Sequence, residues 1–287
     1  MLPVLFSFGP IVIHSFGVVL VVAFLLSSFA FWQKAREENY DEEEVFDLIL
    51  AGSFWALLGS RLFYILLHFD DFGLNLWYWV SVWSRPGFFW LGLVVGGLAF
   101  TVRYARQRRW DTFEILDLLV VGVSLGQALT HFGLFLSGAG VGRVTSLPWG
   151  MVFPGLFEKR HPVGLYGFVA WLLVFVLLWW LEGKYRRFDW YQKFKGDARP
   201  GFVAFSYLIV AGGVGLGLAL LSEPEYVYLG VDMEAVTRAV LIVAGLLGIY
   251  MRSGAKFRFE WKSKIRAARK RKEDVGWHRR RKTPELE

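Results

Sequence analysis

The chain reads as an all-α integral membrane protein of about seven transmembrane helices, with the N-terminus outside and the C-terminus cytoplasmic. Three observations carry that reading. Of its 287 residues, 55% are hydrophobic and 18% aromatic, charged side chains are held to 20%, and mean hydropathy is +0.41. A soluble domain of this length is rarely so apolar. The apolar residues gather into runs close to the roughly 20 that a helix needs to cross a hydrocarbon core about 30 Å thick. Lys and Arg favour alternate loops between those runs. Together these exclude a cytosolic enzyme, a disordered chain and a nucleic-acid module.

The spans fall near 11–32, 45–67, 87–104, 113–137, 162–182, 202–221 and 235–251. No Lys or Arg precedes the first, so it lacks the basic start of a signal peptide and reads as retained. The third is short. The fourth is interrupted by Gly122, Gly126 and Gly133. Loops on one side carry Lys34 and Arg36, then Arg103, Arg106, Arg108 and Arg109, then Lys184, Arg186, Arg187, Lys193, Lys195 and Arg199. Loops on the other carry Arg85, then Arg143, Lys159 and Arg160, then none before Arg238. The richer side is cytoplasmic by the positive-inside rule. Trp77, Tyr78, Trp79 and Trp83, and Trp179 with Trp180, read as interfacial belts.

Residues 1–251 form one polytopic membrane domain and 252–287 a basic cytoplasmic tail. The tail holds 14 of the 32 Lys and Arg against 5 acidic residues. Directly after a span, such a block suits anionic lipid rather than nucleic acid. There is no Cys, so no disulfide, thiolate nucleophile or Cys-ligated metal is available. No metal and no cofactor are expected.

Ionisable side chains at membrane depth point to function, because burying them is costly. Arg61 stands roughly 16 residues past Val45, about 24 Å along a helix, and so near the outer leaflet. His131 closes the outer half of the fourth span, Arg143 follows in the outer loop, and His161 opens the fifth span. Guanidinium groups there suit phosphate headgroups. Snorkelling is the competing role for Arg61, and a packed, hydrogen-bonded imidazole is the competing role for His131. Asp117, at the inner end of the fourth span, reads as a structural salt bridge or cap. Gln127 lies deeper, where an amide usually joins helices.

Gly126-Gln127-Ala128 followed by Gly142-Arg143-Val144-Thr145-Ser146-Leu147-Pro148-Trp149-Gly150-Met151 resembles the prolipoprotein diacylglyceryl transferase family. Gly9-Pro10-Ile11 and Gly17, Gly59 to Tyr64, Asp117, His161-Pro162 with Leu165-Tyr166, Arg199-Pro200-Gly201 and Glu223-Pro224-Glu225 extend the likeness in order. The resemblance implies seven spans. It also implies transfer of a diacylglyceryl group from phosphatidylglycerol to the lipobox Cys of a lipoprotein precursor. The setting would be the bacterial inner (plasma) membrane, with phospholipid and lipoprotein precursors as partners and the protein a monomer. The attacking thiol belongs to the precursor, so the lack of Cys here is no obstacle. The site would comprise His131 and His161 as catalytic bases, with Arg61, Arg143, Tyr64, Gln127 and Tyr166 binding phospholipid.

The sequence departs from the family pattern at its polar positions. Phe16 stands for Tyr, and Trp90-Leu91-Gly92 for His-Gly-Gly. His131 stands for Arg, Leu134 for Asn and Ala139 for Glu. Gly164 and Gly167 stand for Gln and Glu, while Gly215, Ala219 and Ser222 stand for Arg, Glu and Arg. Losing a buried charged network as a set avoids stranding any one member. Two functions stay open: a transferase with His131 as substituted base, and a non-catalytic relative that holds phospholipid or a lipoprotein segment. Residue chemistry alone leans to the second, with little or no transfer. A small-solute transporter ranks last, since no inverted repeat and no paired intramembrane carboxylates are seen.

Overall fold

The computed structural model describes residues 2–9, 11–187, 200–223, 227–228 and 231–252. The basic tail read from the sequence lies beyond them apart from Arg252. The chain opens with a β-hairpin, β1 (Val4–Phe8) and β2 (Ile11–His14), paired antiparallel. Hydropathy places the start of the first span at residue 11, but the β-branched run Ile11-Val12-Ile13 pairs as a strand, and the helix begins after it. Leu2 N–H donates to Leu136 O at 2.9 Å, and the Ser15 hydroxyl donates to Leu2 O.

Among the described residues, seven long helices follow: α1 (Ser15–Glu37), α2 (Glu42–Leu67), α5 (Trp90–Gln107), α6 (Thr112–Ser137), α7 (Val163–Arg187), α8 (Phe202–Leu221) and α9 (Met233–Arg252). Two short ones, α3 (Phe69–Phe72) and α4 (Leu76–Val80), lie between α2 and α5. Six of the long helices are long and apolar enough to cross a membrane. The exception is α5, in the place of the short third span; its 18 residues rise about 27 Å. Phe54, Leu66, Leu173 and Leu220 on these helices are all more than 60% exposed. The bilayer is the solvent for such faces, and the protein is a multi-pass membrane protein.

Local chemistry starts and stops the helices. Asp41 caps α2 by accepting from Glu44 N–H at 3.0 Å, and Glu42 to Glu44 favour that positive end. Asp111 caps α6 through Phe113 and Glu114 N–H. Gly138, with φ of 82°, ends α6 in the left-handed conformation usual for a helix C-terminus.

Small residues set the crossings. A Cβ on Gly59 would sit 2.5 Å from Gly92 O, and one on Gly96 would sit 2.5 Å from Trp55 O. The α2 and α5 backbones therefore touch, as small-residue membrane interfaces allow. α6 is central, packing against α1, α7 and α8.

The helix ends sort into two groups. At one end Asp117 on α6 meets the start of α8, and Lys34 on α1 meets Glu182 on α7 at 2.7 Å. Arg252, closing α9, donates to Pro200 O at this same end. At the other end lie the hairpin, His131, the start of α7 and the close of α8. Three strands cap that end: β3 (Val141–Val144), β4 (Met151–Val152) and β5 (Lys159–Pro162), in the order β3-β5-β4. A last hairpin, β6 (Val227–Tyr228) with β7 (Val231–Asp232), leads into α9.

Candidate functional site

His131 lies in the last two turns of α6 and turns toward α7. A Cβ on Gly167 would come within 2.3 Å of its Nδ1. The imidazole thus fills the volume that a larger residue at 167 would claim. Nearby, a Cβ on Gly164 would meet Phe135 N at 2.9 Å, so both glycines admit the end of α6. The glycine gives up the space that the imidazole takes. His131 Nδ1 is buried and, among the described residues, has no hydrogen-bond partner. Buried polar atoms are rarely left so.

Arg238, on the second turn of α9, falls within the 235–251 span and is given no site role by the sequence reading. The structure folds its stem over Gly215 of α8, where a Cβ would sit 2.8 Å from Cδ and 2.9 Å from Nε. Its Nη2 donates to Glu234 Oε2 at 2.6 Å, one turn back. Asp232 caps the same helix through Glu234 and Ala235 N–H. Nη1 is buried with no partner among the described residues. The guanidinium lies within electrostatic reach of the His131 ring. The signal that could have found it was present: an arginine inside the apolar run 235–251.

The strand cap holds the other groups predicted to line the outer end. Gly142 of β3 bridges to Ser222 at the close of α8, and a Cβ there would meet His161 Cβ at 2.8 Å. Arg143 is exposed and donates from Nε to Ser222 O at 2.9 Å. Arg160 donates to Glu223 at 2.8 Å and to Gly142 O at 3.3 Å. His161 Nδ1 and the Tyr166 hydroxyl are 3.4 Å apart, a long contact. A surface cleft of about 250 Å³ beside them is lined by Gly155, Leu156, Phe157, Glu158 and Arg160.

Arg61 is engaged elsewhere. It is 6% exposed, and its three nitrogens donate to Trp79 O at 3.0 Å, Gly87 O at 2.9 Å and Tyr78 O at 3.0 Å. Its guanidinium stacks over Phe72 at 5.0 Å, while Tyr64 fills the space beside Gly87. These contacts hold the segment between α4 and α5 against the end of α2.

The two deeper polar residues join helices. Gln127 Oε1 accepts from the Tyr207 hydroxyl of α8 at 3.0 Å. Asp117, 2% exposed, accepts from Gly201 and Ala204 N–H, each at 2.7 Å, and so caps α8 from across the bundle. The cap expected for Asp117 is observed; it serves a neighbouring helix rather than its own.

The family model described as prolipoprotein diacylglyceryl transferase matches residues 3–251. A phosphatidylglycerol–prolipoprotein diacylglyceryl transferase of Coxiella burnetii (strain RSA 331 / Henzerling II) is 33% identical over 227 residues, covering 72% of this chain and 87% of that protein. One from Chromohalobacter salexigens is 29% identical over 237 residues, covering 76% and 88%. One from Legionella pneumophila (strain Corby) is 28% identical over 244 residues, covering 76% and 93%.

Proposed function

The chain belongs to the prolipoprotein diacylglyceryl transferase family, and we propose that it performs the family's reaction in a bacterial inner membrane, as a monomer, on a site rebuilt around His131. The observation that carries this reading is the buried, unpartnered Nδ1 of His131 facing the space opened by Gly167. In the reaction, His131 takes the proton of the precursor's lipobox thiol. The thiolate sulfur then bonds to the glycerol methylene carbon that carries phosphate in phosphatidylglycerol. That carbon–oxygen bond breaks, and its electron pair leaves with glycerol phosphate. The imidazolium proton passes to the leaving phosphate or to water. A general base held in place contributes about 10²- to 10⁴-fold to such a step.

Arg143 carries two nitrogens beyond the one given to Ser222 O, and it supplies charge at the mouth of the site with His161 and Tyr166. Gln127 sets the depth of the site by tying α6 to α8. Arg61 and Tyr64 act on lipid through the segment they hold. On the excess of Lys and Arg in the loops of the opposite end, the His131 end faces outside, where precursors and outer-leaflet lipid meet.

The test is a transfer assay with the purified protein, phosphatidylglycerol and a lipobox peptide, read by mass of the lipidated peptide. Transfer is expected from the parent, lost in His131→Ala and retained in His161→Ala. The replacements at Leu134, Ala139, Ala219 and Ser222 favour a second reading, a non-catalytic relative that retains phospholipid. Lipid retention without any transfer would establish that reading instead.

A further inference from the structure

We infer that Arg238 is the phosphate-binding cation of this site, delivered from α9 into the place that the chain leaves open at Gly215. The inference deepens the proposed function and rests on it for the identity of the lipid, but not for the binding of phosphate. Three observations carry it. The Arg238 stem lies across Gly215, where a Cβ would stand 2.8–3.1 Å from Cδ, Nε and Cγ. Any side chain at 215 would displace it, so the glycine and the arginine form one arrangement. Glu234 grips Nη2 at 2.6 Å and fixes the plane of the fork. Nη1 then remains buried and without a partner among the described residues.

A guanidinium nitrogen in that condition is unstable chemistry. A buried donor left unmade is costly, more so when charged, and a phosphate oxygen satisfies it with one of the stronger hydrogen bonds available. His131, whose Nδ1 is also unpartnered, lies within the same electrostatic neighbourhood. Two orphaned polar groups, one from α6 against a glycine of α7 and one from α9 against a glycine of α8, thus lie in electrostatic reach of each other. One phosphate could complete both. Its source is either the headgroup of a phospholipid or a free phosphate monoester such as glycerol phosphate.

The experiment uses the full chain in detergent. Retention of phosphatidylglycerol is compared with that of diacylglycerol, which lacks phosphate, and glycerol phosphate is added as competitor. Arg238→Gln is expected to lower phosphatidylglycerol retention about tenfold or more, the worth of one hydrogen bond to a charged group. Diacylglycerol retention should not change. Gly215→Leu keeps the cation but fills the path of its stem, and should lower retention similarly if Arg238→Gln fails to fold. Competition by glycerol phosphate assigns the site to the free monoester, and absence of competition to the lipid headgroup. Retention equal to the parent in both variants overturns the role of Arg238. Arg238-dependent retention with no transfer by any variant sinks the transferase reading and leaves the phosphate site standing. Transfer by Arg238→Gln at the parental rate does the reverse.

Discussion

Arg61 and Arg238 separate two uses of an arginine at membrane depth. All three Arg61 nitrogens meet backbone carbonyls of one segment, so its work is to hold that segment. Arg61→Ala is expected to speed hydrogen exchange across residues 73–89 and leave the amides of α6 unaffected; uniform protection would argue against the holding role. Asp117 is just as fully engaged, with two buried N–H donors of α8 on its two oxygens. Each donor left unmade costs about 1–3 kcal/mol. Asp117→Ala should therefore lower the melting temperature by several degrees, and Asp117→Asn, which keeps one acceptor oxygen, by less. Spacing alone finds Arg61, His131 and Asp117, because an ionisable residue inside an apolar run is conspicuous. Their partners are not legible in the sequence: Gly201 lies 84 residues from Asp117 and Gly87 lies 26 from Arg61. Arg238 is visible inside the 235–251 run but carries no site signal there, since only packing reveals that its stem crosses Gly215.

At the scale of elements, hydropathy locates the helices to within a few residues, and the 202–221 span coincides with α8. It starts the first span too early because a β-branched strand and an apolar helix look alike over four residues. How tightly the helices approach cannot be read from hydropathy. Gly59, Gly92 and Gly96 bring α2 and α5 to backbone contact, yet a run of glycines in an apolar span carries no record of its partner. Gly59→Leu should force these helices apart and cost at least the 1–3 kcal/mol typical of overpacking, roughly. A fall in melting temperature with lipid retention lost is the expected outcome, and an unchanged melting curve would contradict the contact. The Lys34–Glu182 pair, both side chains under 5% exposed, ties α1 to α7 in the same way at the opposite end. Lys34→Met takes the cation away from the buried Glu182 carboxylate and should lower stability more than Lys34→Met combined with Glu182→Leu, which removes both charges.

For the whole molecule, the family match runs over residues 3–251, from the first hairpin to the close of α9. Glycine stands at 164, 167 and 215, and His131 and Arg238 occupy space beside two of those glycines. A peptide of residues 253–287 is expected to bind acidic vesicles and release as salt rises; equal binding to neutral vesicles would exclude an electrostatic role. The claim on which the rest depends is that phospholipid phosphate sits between α6 and α9. A structure determined in phosphatidylglycerol nanodiscs tests it most directly. Lipid phosphate hydrogen-bonded to Arg238 Nη1 and adjacent to His131 Nδ1 is the expected result. Phosphate bound instead at Arg61, with the carbonyls of Tyr78, Trp79 and Gly87 released, or acyl chains alone beside His131, would contradict it.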